Sequence, residues 1–127
     1  MITRSKANEL LKSLFPTTCF IGLSKTTPTT SGGNVTEPAS SAGYKRMQLT
    51  QLGTPNNAQV QNSDIIFFPE SLDSWGTITH FCIYASESAT TPYFFGELTT
   101  AVEIPAERVP IFRANALKIG LDKETLD

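Results

Sequence analysis

A chain of 127 residues with 17% charged side chains and a formal net charge of -2 is long enough to fold as one domain around a real hydrophobic core. That balance gives no electrostatic basis for gripping nucleic acid or an anionic membrane, and no apolar run approaches the ~20 residues that span a bilayer as a helix. Lys12 and Ser13 interrupt Leu10, Leu11 and Leu14, so no signal-peptide pattern opens the chain and the expectation is synthesis in a reducing cytoplasm.

In chain order, Ala7, Leu10, Leu11, Leu14 and Phe15 repeat at helical spacing and predict an N-terminal helix over residues 1–16. Thr3 or Ser5 can cap its start, and Pro16 stops it. The apolar stripe suits packing on the domain's own sheet or docking on a partner. Residues 17–24 predict a strand with Cys19, Ile21 and Leu23 on one face. Residues 25–43 (KTTPTTSGGNVTEPASSAG) are almost empty of apolar side chains and read as a long polar loop. A loop of that length is functional or disordered more often than it is a core connection. Within it, Asn34-Val35-Thr36 matches a glycosylation sequon, which carries little weight without a secretory signal.

Residues 44–52 predict a second strand and 53–63 another polar loop. The densest apolar stretch follows. Ile65 to Phe68 is a short run closed by Pro69, and 77–85 alternates strictly, with Ile78, His80, Cys82 and Tyr84 on one face and Phe81 and Ile83 on the other. This predicts a central strand over 77–85 with the 65–68 strand beside it, and a core that includes Phe67, Phe68, Trp75, Phe81 and Ile83. Residues 87–91 predict a turn and 93–98 the return strand of a hairpin. Short strands at 102–104 and 109–112 are split by Pro105 and Pro110, and 116–121 closes the domain. Seven or eight short strands with turn signals between them predict a mainly β protein: a single β-sandwich over 17–127, jelly-roll-like or a small barrel, with one N-terminal α-helix.

No catalytic constellation emerges. His80 is the sole histidine, set in a strand between apolar neighbours, and no nucleophile elbow occurs. Glu70 and Asp73 read as solvated turn residues rather than a glycosidase pair. Gly32 and Gly33 lack the context of a phosphate loop. Cys19 and Cys82 with one histidine cannot build a four-ligand zinc site unaided. A disulfide between them is possible if their strands are neighbours; the cytoplasmic setting favours buried free thiols. Tyr93, Phe94 and Phe95 are candidates to stack a base or a sugar, but alternation puts Phe94 away from the other two, so at least one face of that strand reads as core. Trp75, Tyr44 and Tyr93 together form a second such candidate, the platform of a carbohydrate-binding module.

Several segments in order resemble a family of small structural proteins of tailed bacteriophages and prophages, often labelled tail fibre proteins. They are the apolar N-terminal helix; Ile21-Gly22-Leu23-Ser24 with Thr27-Pro28; Val35-Thr36-Glu37-Pro38; Gly43-Tyr44-Lys45-Arg46; Phe68-Pro69-Glu70; Trp75-Gly76-Thr77-Ile78-Thr79-His80-Phe81; Phe95-Gly96-Glu97-Leu98; and Ala116-Leu117-Lys118-Ile119. One departure is Ile104-Pro105-Ala106-Glu107-Arg108, where a turn of small polar residues is expected. The resemblance implies a non-enzymatic virion protein, made in the bacterial host cytoplasm, with no cofactor or metal. Short length and the absence of a fibrous repeat favour a capsid decoration or head-fibre role, with a tail fibre, tail tip or baseplate component as the alternative. Its partners would be the major capsid protein or tail proteins and further copies of itself, as a trimer or a capsid-bound unit. The candidate contact residues are Leu10, Leu11, Leu14 and Phe15 in the helix and Asn34, Val35, Glu37 and Pro38 in the loop.

Overall fold

Alternation of apolar side chains sets the strands. The computed structural model describes residues 3, 5–6, 8–10, 19–49, 59–62, 65–92, 94–113 and 117–120. Eight strands occur among them: β1 (Cys19–Ser24), β2 (Met47–Leu49), β3 (Gln59–Gln61), β4 (Ile66–Phe67), β5 (Gly76–Tyr84), β6 (Phe94–Ile104), β7 (Ile111–Phe112) and β8 (Lys118–Gly120). They form an open four-stranded sheet in the order β2-β1-β5-β6 and two ribbons, β3-β8 and β4-β7. The protein is mainly β with antiparallel pairing, and none of these sheets closes into a barrel among the described residues.

The chain divides into two compact units. One comprises Cys19–Gln48 and Phe67–Ile111; the other comprises Met1–Thr18, Leu49–Ile66 and Phe112–Asp127. In the first, β5 is central. Its register with β1 runs from Phe20↔Tyr84 to Ser24↔His80, and with β6 from Ile83↔Phe94 to Gly76↔Ile104. The expected neighbour of β5, the 65–68 segment, is therefore elsewhere. Both edges of β5 are taken by β1 and by the hairpin partner β6, while β4, cut short by Pro69, pairs with β7.

β6 is one long strand where two were expected. Thr99 and Thr100 are strand-competent and carry it through, at the cost of an irregularity. Between the pairs Ile78↔Val102 and His80↔Glu97, β5 has only Thr79 whereas β6 has Leu98 to Ala101, a bulge on the exposed strand. Gly96 sits opposite Phe81 for a steric reason: a Cβ there would lie 2.6 Å from the Phe81 ring.

The core of this unit includes Ile21, Leu23, Phe68, Trp75, Ile78, Phe81, Cys82, Ile83 and Tyr84, all buried. Trp75 is 1% exposed. Its indole Nε1–H donates to Ala42 O at 2.9 Å, and its ring meets Tyr44 edge-on at 5.3 Å and Phe68 at 6.5 Å. Phe67, expected in the core, is 57% exposed. Strand alternation explains this: Ile66 and Phe68 face inward, so Phe67 must face out. Cys19 and Cys82 are buried, and no disulfide joins them.

In the second unit, β3 falls inside the segment read as a polar loop and pairs with β8, Val60 opposite Ile119. The next residue, Asn62, is 1% exposed and extends the pairing with its side chain. Its Oδ1 accepts from Leu117 N (2.9 Å), and its Nδ2 donates to Arg113 O (2.8 Å). Near the N-terminus, Ser5, Lys6, Asn8, Glu9 and Leu10 are helical. Thr3 Oγ1 caps this turn by accepting from Lys6 N at 3.3 Å, and Lys6 pairs with Glu9 at 2.9 Å. Residues 7, 11, 14 and 15 of the stripe lie outside the described residues.

Candidate interaction site

The segment from Lys25 to Gly43 has no sheet pairing, yet it is held by its own unit. Threonine and serine hydroxyls, too short to reach far, bond the nearby backbone instead. Lys25 N donates to Thr36 O at 2.9 Å. Thr26 Oγ1 donates to Asn34 O at 2.6 Å, and Asn34 Nδ2 donates to Thr27 O at 2.9 Å. Ser24 Oγ donates to Thr26 O (2.7 Å) and accepts from Thr36 N (3.3 Å). A 3-10 turn over Ser40–Ala42 ends at Gly43, whose φ of 91° is the left-handed conformation that glycine adopts without strain. Ala42 O then receives both the Trp75 indole and Leu72 N (2.8 Å). Pro28, Pro38 and Ala42 are buried. The long polar loop read from the sequence is held here by hydroxyls, prolines and carbonyls of its own unit.

The strongest attachment is a buried polar cluster that the sequence reading did not assemble. Glu37 Oε1 accepts from Arg46 Nη2 at 2.8 Å, and Glu37 Oε2 accepts from Arg46 Nε at 3.1 Å. This is the two-point guanidinium–carboxylate geometry. Glu37 Oε2 also accepts the Tyr44 hydroxyl, and that hydroxyl accepts from Leu23 N of β1 at 3.0 Å. The far side of Arg46 donates through Nη1 to Ala89 O (2.7 Å) and Glu87 O (3.1 Å), closing the β5–β6 turn. Its Cζ lies 3.4 Å from the Tyr84 ring centroid, a cation–π contact. Gly22 makes room for all this: a Cβ there would be 2.8 Å from Tyr44 Oη and 2.9 Å from Glu37 Oε2. Burial, and then the adjacent Glu37 carboxylate, push the Tyr44 phenol far above its ordinary range. Burial pushes the Cys82 thiol up to about 11.

The remaining candidates separate cleanly. Glu37 has both carboxylate oxygens engaged within its own unit, and Pro38 is buried. Asn34 is exposed, with a φ of 59°, and Val35 is half-buried. Leu10 is 43% exposed. Trp75 and Tyr44 are buried and tied to each other, so they form no stacking platform; Tyr93 lies outside the described residues. His80 is buried, its Nδ1 2.8 Å from Thr79 Oγ1, with Ser24 and Glu97 as ladder neighbours. Glu70 and Asp73 are exposed. Among the described residues no group of three His, Cys, Asp or Glu side chains can hold a metal. No helix there is long and apolar enough to cross a membrane. Apolar surface is exposed at Phe67, Leu72, Val109 and Ile111.

The described residues thus combine a mainly antiparallel β framework, a polar cluster that locks a loop, and apolar side chains presented outward. The profile of a family described as Podophage GP4 fiber I protein gp80 matches residues 2–120, and the chain belongs to that family of phage fibre proteins. No curated protein matches it.

Proposed function

We propose that the chain is a non-enzymatic subunit of a phage virion, built into a fibre and held there by other virion proteins and by copies of itself. The observation that carries this reading is the family match over residues 2–120. It is supported by the outward-facing Phe67, Val109 and Ile111, whose burial against a neighbour would remove apolar surface from water. The attachment points we propose are the N-terminal stripe Leu10, Leu11, Leu14 and Phe15 and, in the loop, the exposed Asn34 with the half-buried Val35 beside it. Glu37 and Pro38 serve to fix the shape of that loop. The test is mass spectrometry of gradient-purified particles with heads and tails separated before digestion. Recovery with the tail fraction at stoichiometric amounts supports a tail fibre. Recovery with heads supports the head-fibre or decoration placement instead, and absence from particles overturns the proposal.

A further inference from the structure

A cleft of about 400 Å³ opens at the Phe94 end of β6, lined by Thr30, Ser31, Gly32, Pro92, Phe94 and Phe95. Two aromatic rings and a proline give it apolar walls, and no charged side chain lines it among the described residues. The chain that leaves the other end of β6 carries a projection of matching chemistry. Beyond Ile104, Pro105 O accepts from Ser71 Oγ (2.6 Å), Arg108 O from Ser71 N (2.8 Å) and Pro110 O from Phe68 N (2.9 Å). Residues 105–111 are thereby laced to 67–71, and Phe67, Val109 and Ile111 stand out from that support at 57%, 51% and 41% exposure. Phe67 is therefore not seated in the cleft of its own chain.

We infer that the Phe67 projection of one copy enters this cleft on a second copy, a head-to-tail contact between identical chains; this rests on the fibre reading above and names a contact that would carry it. Three observations select a second copy as the occupant. The projection and the cleft share no residue, so they match heterologously, and repeating a heterologous contact builds the rings and filaments that a fibre subunit needs. The charges beside them are complementary. Glu97 is exposed and alternates with Phe95 onto one face of β6, while Arg108 is exposed next to Val109 and donates only to the Glu107 carbonyl at 3.3 Å. Neither forms an ion pair among the described residues, so each is available to the other across the contact. The cleft wall is also preorganised, which lowers the ordering cost of association: Gly32 N donates to Thr29 O (2.8 Å), Thr29 N to Gly33 O (2.9 Å), and Gly33 N to Thr29 Oγ1 (3.0 Å).

The test is sedimentation velocity of the full chain over a concentration series. Wild-type protein should self-associate below roughly 200 µM, as a discrete ring or a growing series. Phe67→Ser removes the projection and Thr30→Trp fills the cleft, both at exposed positions. Each should weaken association about tenfold or more with an unchanged melting temperature. Mixed in equal amounts, the two variants should give a one-to-one dimer that grows no further, since the first keeps an open cleft and the second an intact projection. Glu97→Arg and Arg108→Glu should each weaken association, and the two changes in one chain should restore it. Wild-type protein that stays monomeric at that concentration, association untouched by Phe67→Ser and Thr30→Trp, or a mixture that does not pair, overturns the inference. A chain recovered with particles yet monomeric here would refute this contact and leave the fibre role standing.

Discussion

Replacing Glu37 by Gln should release the 25–43 loop while leaving the sheet in place. The substitution keeps the shape and an acceptor for Tyr44, but strips Arg46 of its counter-charge. Breaking one side of a fully buried ion pair costs about 3–5 kcal/mol. Here the Arg46 and Glu37 side chains are 11% and 23% exposed, and Arg46 keeps Ala89 O at 2.7 Å and the Tyr84 face at 3.4 Å. The loss should therefore shrink to about 2 kcal/mol. Glu37→Ala, which also leaves the Tyr44 O–H without its acceptor, should cost about 3 kcal/mol. Urea unfolding followed by fluorescence of the sole tryptophan measures both. A cycle with Arg46→Met should show coupling of about 1–3 kcal/mol. Amide exchange should accelerate at Lys25, Thr36 and Gly43 more than in β5. A loss under ~0.5 kcal/mol, with loop exchange unchanged, would show that the cluster does not hold the loop.

Trp75→Ala should cost about 3–5 kcal/mol, whereas Trp75→Phe should cost far less, since Ala42 O retains Leu72 N; urea titration separates them. Gly22→Ala should push Tyr44 and Glu37 apart and cost about 1–3 kcal/mol, read from the shift in denaturation midpoint. Stability should fall as pH rises above about 9: the unfolded thiol ionises near 9.0, the folded Cys82 only near 11, so the unfolded state holds fewer protons in that window. The raised Tyr44 and Tyr84 phenols act in the same direction above 10.0, and a pH series of urea melts would expose a flat or rising profile. Reducing agent should leave the melting temperature unchanged, because no disulfide joins Cys19 and Cys82; a large drop would reveal a bond between them.

The parts of the fold written in alternating apolar side chains were legible. Ile78 to Tyr84 reads as a two-sided buried strand and is one, and Cys19, Ile21 and Leu23 mark its partner β1. Elsewhere the pattern carried less. Gln59 to Gln61 pairs through its backbone with almost no apolar signal, and Phe67 belonged to an apolar run whose middle member had to face outward. The neighbour of β5 was misread because proximity in sequence stood in for pairing, whereas the edge was claimed by β1 from more than fifty positions away. The Glu37–Arg46 pair was illegible for a similar reason: both residues were noted in separate motifs, and only the fold brings them together. The loop's order was hidden because its hydroxyls bond backbone atoms, which composition does not report. Tyr93, Phe94 and Phe95 were noted as possible stacking residues; Tyr93 lies outside the described residues, and Phe94 and Phe95 follow each other in β6, where successive side chains alternate faces.

We propose that this chain is a fixed part of the virion and belongs to its fibres. Gold-labelled antibody against the purified protein, applied to intact particles and viewed by electron microscopy, is the direct test. Gold should be confined to fibres at a constant number per particle. Particles that bind no label, while the same antibody recognises the protein in the infected-cell lysate, would contradict it.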